Sequence, residues 1–142
     1  MKKSKKDVTF KGRYLGILFL VIVQFLIGII HTIFGVVLLT SNFLLNSYSM
    51  ISTIYAVYTL VYGSLTLVFT YLLWMNKRLG WIGTVGLSIF VIVVDTLAVL
   101  DLTNFLHIPA PIFAGSGEIT YSLLIIIYLI QDHIKLKYEI KL

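Results

Sequence analysis

The chain has 142 residues, 59% apolar and 12% charged, with a mean hydropathy of +1.00, a net charge of +5 and no cysteine. A soluble domain needs about a quarter of its residues charged to cover its surface, and a chain this short cannot bury apolar runs of this length. Soluble globular and disordered classes are excluded, as are disulfides, thiolate metal sites, iron–sulfur clusters and CxxC redox pairs. What remains is an integral membrane protein.

A membrane-spanning helix takes about 20 mainly apolar residues. Residues 1–13, opening MKKSKK, predict a basic N-terminal segment. The first apolar run, 15–39, is interrupted only by Gln24 and His31 and predicts a span over about 14–40, bounded by Thr40-Ser41-Asn42. It is too long for the apolar core of a cleaved signal peptide, about 7–15 residues, and lacks a small-residue cleavage site, so it reads as a retained anchor. The second span is expected over 51–74, and the third, carrying Asp95, over 79–100 after the turn Asn76-Lys77-Arg78. Residues 101–117, with Pro109-Ala110-Pro111 and Gly115-Ser116-Gly117, read as an outer loop. Ser116 is the expected N-cap of a fourth span over about 118–136, with Glu118 in its first turn complementing the macrodipole and the helix continuing towards Tyr138. Unbroken runs such as LLIIIYLI in this last segment are not the alternating segments of about ten residues that build a membrane β-barrel. The fold expected is all-α: one polytopic membrane domain, 1–142, of four transmembrane helices in an antiparallel bundle.

Charge placement orients it. Four spans put Lys2, Lys3, Lys5, Lys6, Lys11, Arg13, Lys77, Arg78, Lys135, Lys137 and Lys141 on one side. The opposite side, residues 41–50 and 101–118, contains no Lys or Arg, only Asp101 and Glu118. The positive-inside rule then places both termini in the cytoplasm of a cell with the protein in its plasma membrane. Tyr14, Tyr71, Trp74 and Trp81 fall at the inner interface, and Phe43, Tyr48, Phe105 and Phe113 near the outer one, as aromatic belts do. Clustered Lys beside a span is a topogenic signal and a contact for anionic lipid headgroups rather than a nucleic-acid arm. Gly12 and Gly16 have GxxxG spacing but sit at the basic membrane edge, which weakens them as a dimer motif.

Polar and small residues inside a span face other helices, because lipid cannot satisfy them. Gln24, Gly28, His31 and Gly35 form one stripe on the first helix. Ser52, Tyr55, Thr59, Tyr62, Thr66 and Thr70 line the second, and Gly80, Thr84, Ser88 and Asp95 the third. The fourth offers Glu118, Tyr121 and Ser122 at its outer end. From the rise of about 1.5 Å per residue, His31 and Asp95 lie at similar depth, ~6 Å beyond the midplane, level with Tyr58, Thr59 and Ser122. A shift of 64 residues aligns Leu15-Gly16 with Leu79-Gly80 and His31-Thr32 with Asp95-Thr96, a weak echo of two parallel hairpins.

His31 and Asp95 are thus the central pair of a candidate intramembrane polar site with Gln24, Tyr58, Thr59, Tyr62 and Ser122, and with Glu118 and Asp101 at its mouth. A bare carboxylate in hydrocarbon is costly, so Asp95 must be paired, protonated or wet. One reading is a proton or cation site reached from the outer face; the other is an interhelical hydrogen bond that sets packing. Bis-histidine haem is excluded because only His31 is intramembrane, with His107 in the outer loop and His133 at the inner edge. A zinc site wants three or four ligands, more than His31, Asp95 and Glu118 comfortably supply. No nucleophile turn of a Ser–His–Asp hydrolase is present.

Two small four-span families are set aside: thiol-dependent quinone reductases, for want of Cys, and small multidrug exporters, whose first-helix Glu is replaced here by Gln24 and His31. Tyr58-Thr59-Leu60-Val61-Tyr62-Gly63, Lys77-Arg78-Leu79-Gly80-Trp81 and Tyr128-Leu129-Ile130-Gln131-Asp132-His133 form a different pattern. A Tyr/Gly-rich second span, a basic turn running into Trp and a polar-ended fourth span resemble uncharacterised small four-helix membrane proteins of prokaryotes. The resemblance covers residues 12–138 and implies a fold but no activity. The function expected is a non-enzymatic accessory or structural subunit of a larger membrane assembly, without cofactor. Its partners would be the bilayer and either other membrane subunits or further copies of itself, with no nucleic acid. The alternative is a small oligomeric transporter or proton/cation conductor using His31 and Asp95, and an enzyme acting on a lipid or quinone comes third.

Overall fold

Runs of Leu, Ile, Val and Phe uninterrupted by proline fold as α1 (Leu15–Leu44), α2 (Met50–Trp74) and α3 (Arg78–Val99). They are followed by the shorter α4 (Ile112–Leu129) and by α5 (Asp132–Lys137). The structure, a computed structural model, describes residues 9–10, 13–44, 50–100 and 112–139. Ahead of α1, β1 (Thr9–Phe10) and β2 (Arg13–Tyr14) pair antiparallel in a two-residue ribbon, with Thr9 opposite Tyr14. The architecture is otherwise all-α. Helices α1, α2 and α3 are long and apolar enough to cross a membrane, and α4 is the shorter apolar helix beside them. Its 18 residues span ~27 Å, close to a hydrocarbon thickness of about 30 Å.

The order of packing is α1 on α2, α2 on α3 and α3 on α4. Small residues set the approach. A methyl added at Gly35 would lie 2.6 Å from the Leu60 nitrogen, and one at Gly63 would lie 2.9 Å from the Gly28 carbonyl oxygen. Glycines at α1–α2 crossings let the backbones meet, which is how helices gain dispersion contact where lipid supplies no hydrophobic drive. Gly80 does the same for α3 against Leu72 and Leu73 of α2.

Each helix buries one stripe and leaves the rest of its surface apolar and exposed. Buried positions recur at 17, 20, 24, 28 and 35 on α1, at 80, 84, 88, 91 and 95 on α3, and at 115, 122, 125 and 129 on α4. These are the three- and four-residue steps of one helix face. The buried set includes Gln24, Thr59, Thr66, Thr70, Thr84, Ser88, Asp95 and Ser122, while Phe19, Phe25, Ile30, Val68, Phe90 and Leu124 point outward. Polar inside and apolar outside is the reverse of a soluble protein and suits a lipid solvent. One end of the interior is dry: Ile17, Leu20, Leu73, Ile125, Leu129, Ile134 and Tyr138 form a single apolar cluster. Two side chains tie that end together, Trp81 Nε1 donating to the Leu129 carbonyl at 2.9 Å and the Tyr138 hydroxyl to the Leu73 carbonyl at 3.0 Å.

The turn between α2 and α3 forms as its residues direct. Asn76 adopts the left-handed conformation (φ 53°), Lys77 N–H donates to the Leu72 carbonyl at 2.9 Å and Asn76 N–H to that of Leu73 at 3.1 Å. This is a Schellman closure, with Asn in the position glycine usually takes.

Elsewhere the boundaries differ from expectation. Thr40-Ser41-Asn42 does not end α1, which continues to Leu44, because Thr40 and Ser41 return their hydroxyls to the Val36 and Leu38 carbonyls of the same helix. Ser116 is not an N-cap. Helix α4 begins at Ile112 and runs through Gly115 and Gly117, and the Ser116 carbonyl accepts the Thr120 hydroxyl at 2.9 Å. The fourth segment is also not one helix to residue 136. It stops at Leu129, and Gln131 takes an extended backbone (ψ 138°) that starts α5. This break turns α5 so that Ile134 and Tyr138 reach the apolar cluster. The expected basic stretch 1–8, Lys11, Gly12, Tyr48, residues 101–111 with Asp101, Phe105 and His107, and Lys141 lie outside the described residues, as do the side chains of Arg13, Tyr14, Ser52 and Phe113.

The glycine contacts make a paired prediction. Gly63→Ala should lower stability by about 1–3 kcal/mol, the usual range for overpacking. Gly86→Ala, whose added methyl meets nothing within 4 Å, should leave stability unchanged or raise it by up to about 1 kcal/mol. Thermal unfolding of the two variants in one detergent compares them directly.

Candidate intramembrane proton site

His31 sits on the buried stripe of α1, sixteen residues and ~24 Å from the start of the helix. Its Nδ1 lies 2.9 Å from the Ile27 carbonyl oxygen and its Nε2 3.2 Å from Oε1 of Glu118 on α4. A carbonyl oxygen only accepts, so Nδ1 carries a hydrogen. The second contact then admits two states. Either Nε2 also carries a hydrogen and donates to a Glu118 carboxylate, or Nε2 is bare and a protonated Glu118 donates to it. One proton is shared in both cases, and moving it across the contact leaves the net charge of the pair at zero.

Asp95, on α3, completes the cluster. Its Cβ lies 3.9 Å from where a methyl on Gly115 would stand, one turn before Glu118 on α4. Asp95 is 7% exposed and its Oδ2 is buried without a hydrogen-bond partner. His31 and Glu118 keep 23% and 32% of their side-chain surface open, so the pair is reachable from the protein's surface. Helices α1, α3 and α4 therefore bring His31, Asp95 and Glu118 into one region, and the side chain within hydrogen-bonding distance of His31 Nε2 is that of Glu118. The early start of α4 at Ile112 is the cause, since it carries Glu118 six residues, ~9 Å, into the helix rather than leaving it at the first turn. The signal was in the sequence. Gly115, Glu118, Ser122, Ile125 and Leu129 follow one stripe at helical spacing, which puts Glu118 on the same face as the inward-facing Ser122.

The remaining candidates divide between this cluster and its surroundings. Tyr62 meets the His31 ring edge-on, centroids 4.9 Å apart, and Tyr58 stacks on Tyr62 at 6.2 Å. The Tyr58 hydroxyl is buried without a partner. Tyr58 and Tyr62 also wall an open groove of about 430 Å³ between α2 and α3, with Leu65, Phe69 and Phe90. The Thr59 hydroxyl is committed to the Tyr55 carbonyl at 2.8 Å and is not available to a ligand. Gln24 and Ser122 lie together, away from His31, on a small cavity of about 10 Å³. Among the described residues no three of His, Asp and Glu are disposed to hold a metal ion. His133 and the Asp132–Lys135 pair, 2.9 Å, belong to α5 at the opposite end.

No protein-family model, curated protein or solved structure matches the chain.

The proton bookkeeping has a spectroscopic consequence. In Glu118→Gln the amide can neither give up nor take a proton, so no carboxylate partner remains at Nε2 to stabilise an imidazolium, and the Ile27 carbonyl keeps the hydrogen of the neutral ring on Nδ1. Nitrogen-15 NMR at neutral pH should read a bare Nε2 in this variant, and a protonated Nε2 would contradict the assignment.

Proposed function

We propose that this protein is a small multi-pass protein of the plasma membrane that takes up and releases protons through His31 and Glu118, with Asp95 beside them, as a gated proton carrier. The carrying observation is the 3.2 Å contact between His31 Nε2 and Glu118 Oε1, whose geometry stores one exchangeable proton between two helices. Ionisable groups inside membrane spans mark ion pathways and proton relays, because hydrocarbon penalises any that do no such work. The topology that goes with this reading is an antiparallel four-helix bundle with both termini cytoplasmic. It is supported by the one-sided distribution of Lys and Arg and by helix contacts pairing Gly28 with Leu67 and Gly35 with Leu60. In that orientation the cluster opens towards the outer face, and the apolar cluster around Leu20, Leu73 and Leu129 closes the inner end. A dry constriction of this kind blocks a permanently open pore, so a gated or coupled carrier fits better than a free conductor.

A second reading, a subunit of a larger membrane assembly, is favoured by α1. Only 22% of its most apolar window is buried, against 39% and 33% for α2 and α3, leaving a broad face for lipid or for partner helices. Purification in mild detergent distinguishes the two, since a stoichiometric partner supports the assembly role.

The direct test is proton uptake into proteoliposomes carrying a pH-sensitive dye under an imposed potential. The wild type should acidify the lumen. Glu118→Gln and His31→Ala should each reduce the rate at least tenfold while elution volume and helicity stay unchanged. Equal rates in wild type and variants would overturn the proton reading. Topology is tested in parallel, because the chain has no cysteine of its own. Asn76→Cys should be shielded from an impermeant thiol reagent added to intact cells, whereas Asn46→Cys should react.

A further inference from the structure

We propose that the enclosed cavity between the four helices is a binding site for a single water molecule. The cavity is about 10 Å³, the size that admits one water and little else. Gln24 of α1, Thr84 of α3 and Tyr121 of α4 all line it. Each of the three has a buried polar atom, Gln24 Oε1, Thr84 Oγ1 and the Tyr121 hydroxyl, with no partner in the protein. Gln24 is 5% exposed and Thr84 1%, so bulk solvent does not reach them. Buried polar groups left bare carry their full desolvation penalty, and natural proteins answer such a cluster with an internal water making about three hydrogen bonds. Here the partners match in kind. A water donates one hydrogen to the Gln24 carbonyl oxygen, and its second hydrogen and lone pairs serve the Thr84 and Tyr121 hydroxyls, each of which can accept or donate. No carboxylate lines the cavity, which disfavours a cation as its occupant.

The position gives the water a use. On every helix the cavity lies on the same stripe as the proton cluster, displaced towards the apolar end: Gln24 is two turns from His31 on α1, and Tyr121 is one turn from Glu118 on α4. Tyr62 lines the cavity and also touches the His31 ring. The water thus continues the polar interior inward from the cluster until the apolar residues around Leu20 and Leu129 end it. This last role, though not the site itself, rests on the proton-uptake reading.

Water-edited, proton-detected solid-state NMR of the full chain in lipid bilayers tests the site. Magnetisation should pass from water to the Thr84 and Gln24 side chains in the wild type, and the transfer to Thr84 should disappear in Gln24→Leu. Thr84→Val, which keeps the shape, separates the cases thermally. With water bound it removes a hydrogen bond and lowers the unfolding temperature; in a dry cavity it removes an orphan hydroxyl and raises it. Absence of transfer in the wild type together with a raised unfolding temperature for Thr84→Val would overturn the proposal. Water contact in a protein that moves no protons would leave the site standing and remove only its assigned role.

Discussion

The constraint on which the rest of this structure depends is that hydrocarbon cannot hydrogen-bond. A chain whose outward faces are Phe, Ile, Leu and Val must hide every side-chain donor and acceptor between its helices, and it must do so with few residues. Most of the polar side chains in the helices follow it, with Gln24, Thr59, Thr66, Thr70, Thr84, Ser88, Asp95 and Ser122 buried, while Ser64 and Thr120 stay exposed. Thr32, Thr59 and Thr66 solve the problem locally by bonding the carbonyl four residues back. His31 and Glu118 solve it by meeting across α1 and α4 at 3.2 Å, while Asp95 Oδ2 is left without a hydrogen-bond partner.

Close helix approach and the polar cluster are linked through α1. Gly28 and Gly35 flank His31 on its stripe and bring α1 against Leu67 and Leu60 of α2. A bulkier stripe would hold the helices further apart and separate the imidazole from Tyr62, now 4.9 Å between ring centroids. The opposite end is built differently. There Trp81 and Tyr138 donate to helix-end carbonyls, and Ile17, Leu73, Leu129 and Ile134 pack as one apolar cluster around them. Polar and apolar halves of one interior give the molecule a direction, which the proposed one-sided proton site would use.

Much of this was legible in the sequence. Apolar run length is a one-dimensional property, so the helical segments and their approximate extents follow from counting residues. The inward stripes follow as well, since helical periodicity alone puts Gln24, Gly28, His31 and Gly35 on one face. Asp95 and His31 stood out because ionisable groups are rare in such runs. Glu118 was read as a first-turn acid complementing the macrodipole and as the mouth of the site, not as the direct partner of His31.

Tertiary structure decided what depends on partners in space. Thr40 and Ser41 continue α1 rather than ending it, since their hydroxyls find carbonyls of their own helix. Residues 112–117 join α4 although Gly and Ser disfavour helix, and that extension delivers Glu118 to His31. The chain breaks at Gln131 because burying Ile134 and Tyr138 in the apolar cluster outweighs a continuous helix. Local propensity differs by tenths of a kcal/mol per residue, whereas burial or an unpaired charge is worth several times more. Sequence alone therefore determined the segments and their faces, and three-dimensional packing determined which groups meet.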